Sequence, residues 1–244
     1  MKAVILGAGA MGHVLRDMIN ETEGIECLGM IEPLNGEKPG DIAEDADVVI
    51  DFSNPENLAM MADFAEKRKT AFVIATTGFS PEQVHVIEEM SKKAPVVYAA
   101  NFSLGITVML KVAADLSKTL GDSFDIEIIE KHHNKKLDSP SGTAKMLARA
   151  VNHDEKYEQV YGREGNCKRG NEIGIHAIRG GTIAGGHTVL FAGQDEVLEL
   201  THMVNSKKVF AAGAIKAARF ACEKEAGLYD MNDVLNLRKN SSAV

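Results

Sequence analysis

Lys2-Ala-Val-Ile-Leu-Gly-Ala-Gly-Ala-Met-Gly12 (KAVILGAGAMG) decides the fold of this chain. Ala3–Leu6 is a short, unbroken apolar run, as expected of a strand buried on both faces of a parallel sheet. Gly7, Ala8, Gly9, Ala10, Met11 and Gly12 then fit G-x-G-x-x-G, and a helix is predicted to follow through about Asn20. In such a turn the first glycine permits the tight bend. The second lets backbone approach a pyrophosphate, and the third allows close helix–strand packing. A second strand, Ile25–Ile31, ends at Glu32, an acid placed to accept hydrogen bonds from an adenosine ribose. The pattern alone also suits a purely structural glycine turn. Its position at the first strand-to-helix turn favours a dinucleotide site.

Working outward, strands are predicted at Asp47–Phe52, Ala71–Ala75 and Val96–Ala99. Helices are predicted at Pro55–Lys67, with Asn54 as cap, and at Ser80–Lys92. Repeated strand–helix units imply a doubly wound, Rossmann-type parallel sheet that binds ligands at the carboxyl ends of its strands. Two loops fall there: Ala75, Thr76 and Thr77, then Ala99, Ala100, Asn101 and Phe102. Their small residues suit close approach to a nicotinamide ribose, with Phe102 offering a ring face. The competing reading is ordinary loops with Thr and Asn supplying turn bonds. The Glu32 carboxylate repels a 2′-phosphate and Pro33 follows it, although Lys38 lies within reach. The expected cofactor is NADH and/or NADPH, with NADH used well.

The pattern changes after Asn101. A longer helix, Gly105–Leu120, precedes a strand at Phe124–Glu130 and a helix at Ser141–Val151. Strands at Glu172–Ile178, His187–Phe191 and Glu196–Val204 follow without helices between them, joined by turns at Gly180-Gly181 and Gly185-Gly186. This implies a mixed or antiparallel sheet. Val209–Glu225 is a further helix, expected to return to the first domain. The chain is therefore read as α/β: residues 1–103 with 208–244 form a dinucleotide-binding domain, and 104–207 an α+β substrate-binding and oligomerisation domain with an open mixed sheet.

Glu130–Ala144, EKHHNKKLDSPSGTA, carries the chemistry. His132 and His133 are adjacent, so on a strand they face opposite ways. A histidine exchanges protons near neutral pH, and Lys136 supplies fixed positive charge. Ser141 can cap the following helix while the amides of Gly142 and Thr143 hold a carboxylate. The plainer alternative is a solvated basic loop before a capped helix. No third ligand stands at a useful spacing, so no metal is expected.

Bulk properties agree with a small globular enzyme. The 244 residues carry a net charge of −8, which argues against nucleic-acid or membrane-surface partners. The KHHNKK cluster is a local exception. Three widely spaced cysteines suggest neither a disulfide framework nor a zinc site. Lys2 leads directly into the first strand with no secretory pattern, and no apolar run approaches bilayer length. A cytoplasmic protein is expected.

E-x-H-H-x-x-K-x-D-x-P-S-G-T-A resembles the signature of the 4-hydroxy-tetrahydrodipicolinate (dihydrodipicolinate) reductases of lysine and diaminopimelate biosynthesis. The similarity extends over nearly the whole chain, through TTGF, AANFSLG, IGIHAIRGG, HTVLFAG and GLYDMNDVL. The resemblance implies an NAD(P)H-dependent reductase acting on a small dicarboxylate, usually a homotetramer assembled through the substrate-domain sheets. His132 matches the family's proton donor, Lys136 its catalytic lysine and His133 a substrate contact. Gly142 and Thr143 match the carboxylate-holding positions, and the loops at Ala75–Thr77 and Ala99–Phe102 match nucleotide contacts. Two departures stand out. Pro33 replaces the arginine usual after the ribose-binding acid, and Ala184-Gly185-Gly186-His187 lacks an acid before the histidine. The rival readings are another two-domain NAD(P)-dependent dehydrogenase and a non-catalytic NAD(H)-sensing module.

Overall fold

The computed structural model describes residues 1–37, 46–67 and 70–238, with the side chains of 66 and 67 left aside. Lys38 and the polar tail after Arg238 therefore lie outside the described residues. The chain divides into two compact units, Met1–Leu104 with Lys207–Val244 and Gly105–Ser206.

In the first unit, β1 (Lys2–Leu6), β2 (Glu26–Ile31), β3 (Val48–Asp51), β4 (Ala71–Ile74) and β5 (Pro95–Tyr98) form a parallel sheet. A last strand, Gly227–Tyr229, joins it beside β5, so the order is Gly227–Tyr229, β5, β4, β3, β1, β2. Helices α1 (Ala10–Asn20), α2 (Leu58–Lys67) and α3 (Pro81–Ser91) supply the crossovers. The central strands are buried at every position from Ala3 to Leu6, Val48 to Asp51 and Ala71 to Ile74, which explains their unbroken apolar sequences. One face packs on Leu15, Ile19 and the small residues Ala211, Ala214, Ala217 and Ala218; the other packs on Met61, Phe64 and Ile87.

Ser80 caps α3 in a reciprocal capping box with Gln83. The helix expected from Pro55 begins instead as a 3₁₀ turn over Pro55–Asn57, capped by Asn54, and becomes α-helical at Leu58.

The second unit contains α4, which starts at the boundary and runs Leu104–Leu120, then β6 (Asp125–His132), α5 (Gly142–Val151), β7 (Glu158–Tyr161), β8 (Glu172–Arg179), β9 (Gly185–Ala192) and β10 (Val197–Val204). Its sheet has the order β10-β9-β6-β8-β7. β6 and β7 run parallel to β8, whereas β9 runs antiparallel to β6 and β10. The sheet is mixed. Ile126, Ile128, Ile173, Ile175, Val189 and Phe191 pack with Leu147, Ala148 and Val151 of α5.

Helix α6 (Lys208–Cys222) packs within the first unit against β3, β4, β5 and α1. The short helix α7 (Met231–Val234) lies near the end of the described residues and carries a capping box from Asp230.

Four further elements differ from the sequence reading. Strand β6 runs two residues beyond Glu130, because Lys131 and His132 pair with Ile178 and Arg179 of β8. Gly185-Gly186 open β9 rather than forming a turn, since they pair with Val204 and Met203. The sheet-edge strands Glu158–Tyr161 and Gly227–Tyr229 went unanticipated. They are four and three residues long, the first largely exposed and the second half-buried at two of its three positions, and they lack the apolar alternation that marks a strand.

Candidate active site

The glycine corner of the first unit is built from backbone. Gly7 adopts φ 99°, and a Cβ there would stand 2.6 Å from the Phe52 carbonyl oxygen. A Cβ on Gly12 would meet the Gly7 carbonyl at 2.0 Å, so α1 lies directly on the turn. Gly9, the N-cap of α1, is exposed with open space above it, and among the described residues no side chain caps that helix. Ala8 and Ala10 flank it at the surface side, while Met11 packs on the core. An uncapped helix terminus without a Cβ in the way fits a pyrophosphate.

Glu32 follows β2 directly, beside this turn. Its carboxylate accepts the Ala8 amide at 3.1 Å and the Leu34 amide at 3.2 Å, which aims it across the corner.

At the carboxyl ends of β3 and β4, Thr76 is buried and its hydroxyl accepts the Ser53 amide at 2.9 Å. Asp51, also buried, accepts the Ser53 hydroxyl, and its other oxygen has no hydrogen-bond partner among the described residues. Burial pushes the Asp51 carboxyl up, against the lowering effect of its bonds to Ser53 and Thr76. Thr77 and Ala100 are exposed, and Ala75, Ala99 and Asn101 half-buried.

Phe102 requires a correction. It is 2% exposed and belongs to the core, 6.4 Å from the Phe52 ring, so it offers no free face to a nicotinamide. A Cβ on Gly213 would come within 1.7 Å of the Phe102 carbonyl, which shows how tightly α6 seats that residue.

In the second unit, the chemistry gathers where β6 ends and α5 begins. Glu130 and His132 lie two residues apart on one face of β6. The Glu130 carboxylate is fully buried. It receives both terminal nitrogens of Arg179, each at 2.7 Å, the Ser141 amide at 3.0 Å, and Nδ1 of His132 at 2.6 Å. Burial alone would raise its pKa. The hydrogen bonds from Arg179, His132 and Ser141 outweigh that and hold the carboxyl below the usual range.

Ser141 caps α5, its hydroxyl accepting the Ala144 amide at 3.2 Å and lying 3.0 Å from Nε2 of His187. Gly142 is exposed with open space where a side chain would be, and Thr143 follows in the first turn. The rings of His132 and His187 meet edge to face at 5.2 Å. Burial, then the neighbouring His132, pushes His187 down to about 4, so it is neutral at physiological pH.

Lys136 pairs with Asp138 at 2.8 Å, and that lysine holds the Asp138 carboxyl below its ordinary value. The Asp138 carbonyl also accepts from Arg179 at 2.6 Å. His133 lies one residue past β6; its Nδ1 is buried without a hydrogen-bond partner among the described residues.

The structure thus joins His132 and Ser141 through Glu130, and gives Lys136 an acidic partner beside Arg179. Sequence reading missed three members: Glu130, Arg179 and His187. Glu130 was legible as the i−2 neighbour of His132 on a strand. Arg179 and His187 stand 49 and 57 residues from Glu130 and are brought in only by the sheet register. Among the described residues no group of three or more His, Cys, Asp or Glu is placed to hold a metal ion.

A doubly wound unit with a bare glycine corner, joined in one chain to an open-sheet unit with a histidine–carboxylate corner, defines the class of two-unit α/β reductases and dehydrogenases. The chain belongs to the dihydrodipicolinate reductase family: residues 1–102 match the description "Dihydrodipicolinate reductase, N-terminus" and residues 105–235 "Dihydrodipicolinate reductase, C-terminus". It is 50% identical over 239 residues to the 4-hydroxy-tetrahydrodipicolinate reductase of Clostridium tetani, covering 93% of this chain and 94% of that protein. It is 45% identical over 238 residues to the enzyme of the same name from Caldanaerobacter subterraneus, covering 93% and 94%. Among solved structures, the dipicolinate-bound dihydrodipicolinate reductase from Paenisporosarcina sp. TG-14 shares the fold with a TM-score of 0.78 at 23% identity, over 94% of this chain and 97% of that one.

Proposed function

We propose that this protein reduces 4-hydroxy-tetrahydrodipicolinate to tetrahydrodipicolinate with loss of water, drawing on NADH or NADPH. The observation that carries the reading is the buried carboxylate of Glu130, which holds both a proton-exchanging histidine and the N-cap of an anion-binding helix. The relatives' shared name supports the substrate assignment.

The first unit is the dinucleotide-binding domain. Gly7 through Gly12 would hold the pyrophosphate, and Glu32 the ribose. The backbone of Ala75, Thr76, Thr77, Ala99, Ala100, Asn101 and Phe102 would line the nicotinamide end. When bound, the reduced nicotinamide supplies a hydride.

The second unit is the substrate domain. The amides of Gly142 and Thr143 receive one carboxylate of the cyclic substrate, aided by the dipole of α5. Lys136 exchanges Asp138 for that anion and offsets charge growing on the ring, and His133 adds a contact. His132 gives a proton to the ring as it gains electrons, converting its own imidazolium to a neutral imidazole.

The enzyme works in the cytoplasm as a homotetramer built through the β-sheet face that α5 leaves uncovered. Ile178, Val197 and Met203 on that face are 49%, 60% and 48% exposed. Among the described residues no helix is long and apolar enough to cross a membrane.

Following NADH absorbance against a panel of cyclic imines and amino-acid precursors tests the substrate. Turnover confined to the hydroxylated dipicolinate precursor is expected. Faster turnover of an amino acid or a sugar would favour a different two-domain dehydrogenase, and none at all a nucleotide-sensing module.

A further inference from the structure

Four donor atoms meet the Glu130 carboxylate, and they come from three elements. Arg179 closes β8 and sends both terminal nitrogens; Ser141 opens α5 and sends its amide; His132 closes β6 and sends Nδ1. A buried carboxylate gripped by a two-pronged guanidinium is ionised. An ionised carboxylate only accepts, so Nδ1 of His132 must carry the hydrogen in the 2.6 Å bond. One ring nitrogen is then left to trade protons, Nε2. The start of β9 brackets that atom, since a Cβ on Gly185 would lie 3.2 Å from it.

We propose that Glu130, clamped by Arg179, is the positioning residue of the reaction: it fixes His132 with Nδ1 protonated, so that Nε2 is the atom that gives up the proton in each turnover. The proposal rests on the reading that His132 protonates the substrate. In the step, the Nε2–H bond breaks and an electron pair of the substrate ring forms a bond to that hydrogen. Nε2 of His132 keeps the electron pair of the broken bond, and the Nδ1–H tautomer remains until Nε2 regains a proton from solvent. The hydride that completes the reduction comes from the nicotinamide cofactor of the established family chemistry. Through the Ser141 amide the same carboxylate ties the donor to the carboxylate-binding end of α5, so ring and anion cradle keep one relative placement.

Among the described residues, the charged and titratable groups about the ring are Glu130 on its own strand, Arg179 from β8 and His187 from β9; farther out, Lys136, paired with Asp138, and His202 from β10 reach His187 by charge. Glu130 is the carboxylate bonded directly to the ring. Its removal therefore disfavours the imidazolium, and the fall of kcat with rising pH should move to lower pH.

The experiment uses the full chain with ¹⁵N-labelled histidine. Long-range proton–nitrogen spectra of the neutral ring report which nitrogen is protonated, in the unmodified protein and in Glu130→Gln. The expected result is Nδ1–H in the unmodified protein and an increased share of Nε2–H in Glu130→Gln. With that change kcat should fall about 10²-fold or more at unchanged NADH KM, as for a histidine held in the wrong tautomer. Arg179→Lys, which keeps the charge but loses the fork, should give an intermediate kcat. Nε2–H in the unmodified protein overturns the proposal even if neither variant folds. An unshifted pH profile in folded Glu130→Gln also overturns it. Normal kcat in His132→Gln, with Nδ1–H observed, would instead bring down the proton-donor reading, and the proposal with it.

Discussion

Two strand-to-helix corners of this chain solve opposite problems. Where β1 meets α1, side chains are withdrawn: Gly9 caps without a side-chain bond from the described residues, Gly12 closes on the Gly7 backbone, and Gly7 on the Phe52 carbonyl. Where β6 approaches α5, side chains crowd in: Ser141 caps, Glu130 braces, and Arg179, His132 and His187 converge. The first corner suits a ligand that must touch backbone along its length. The second suits a reaction in which one proton must leave one atom. The contrast teaches that a bare helix terminus suffices for holding a phosphate, whereas proton transfer demands a wired one.

The largest test of the contrast is His132→Gln. It should lower kcat by about 10²–10⁴-fold, the usual contribution of a positioned acid, while NADH binding by fluorescence stays as it was. Unchanged turnover would erase the chemical half of the comparison.

Next is Arg179→Met, which strands the Glu130 carboxylate without its main partner. Removing one member of a buried pair should cost about 3–5 kcal/mol in urea unfolding, lodged in the second unit. A loss below 1 kcal/mol would make the brace a surface pair.

The pH dependence of stability comes third. His187 has a folded pKa of about 4 against 6.5 unfolded, so between those values the unfolded chain binds more protons. Stability is therefore highest above pH 6.5 and declines as pH falls toward 4, by on the order of 3 kcal/mol. Glu130, depressed below its unfolded value, adds a loss of the same sign at lower pH. Thermal scans of His187→Gln should show a flatter profile from pH 7 to pH 4; an identical slope would place the proton uptake elsewhere.

Gly12→Ala should act only at the bare corner. A methyl 2.0 Å from the Gly7 carbonyl forces the turn open, costing about 1–3 kcal/mol and weakening NADH binding while pyridine-2,6-dicarboxylate still binds. Ser141→Ala is the mildest, about 1 kcal/mol for the lost cap, with dicarboxylate affinity reduced and NADH affinity kept.

The glycine turn and the parallel sheet were legible because burial on both faces leaves unbroken apolar runs, and because the turn's chemistry is local. His132, Lys136 and the Ser141–Thr143 corner were legible for the same reason: they fall within a dozen residues. Phe102 misled, since an aromatic residue in a loop at the carboxyl edge of a sheet reads alike whether its ring faces ligand or core. The seating of α6 decided it. Arg179 and His187 were unreadable as site residues because their relation to Glu130 exists only after β8 and β9 take register beside β6. Pairing of distant strands leaves no local trace.

Strand β6 is flanked along its length by β8 and β9, and its last residue is His132. The reactive stretch is therefore divided. Up to His132 it is locked by ladders on both sides, whereas Asn134, Lys135, Leu137, Asp138 and Ser139 stand exposed at the surface. Divergence among descendants, or deliberate redesign toward other cyclic acids, has room in that outer half. There, residues can be exchanged to greet a new guest without disturbing the His132 ring.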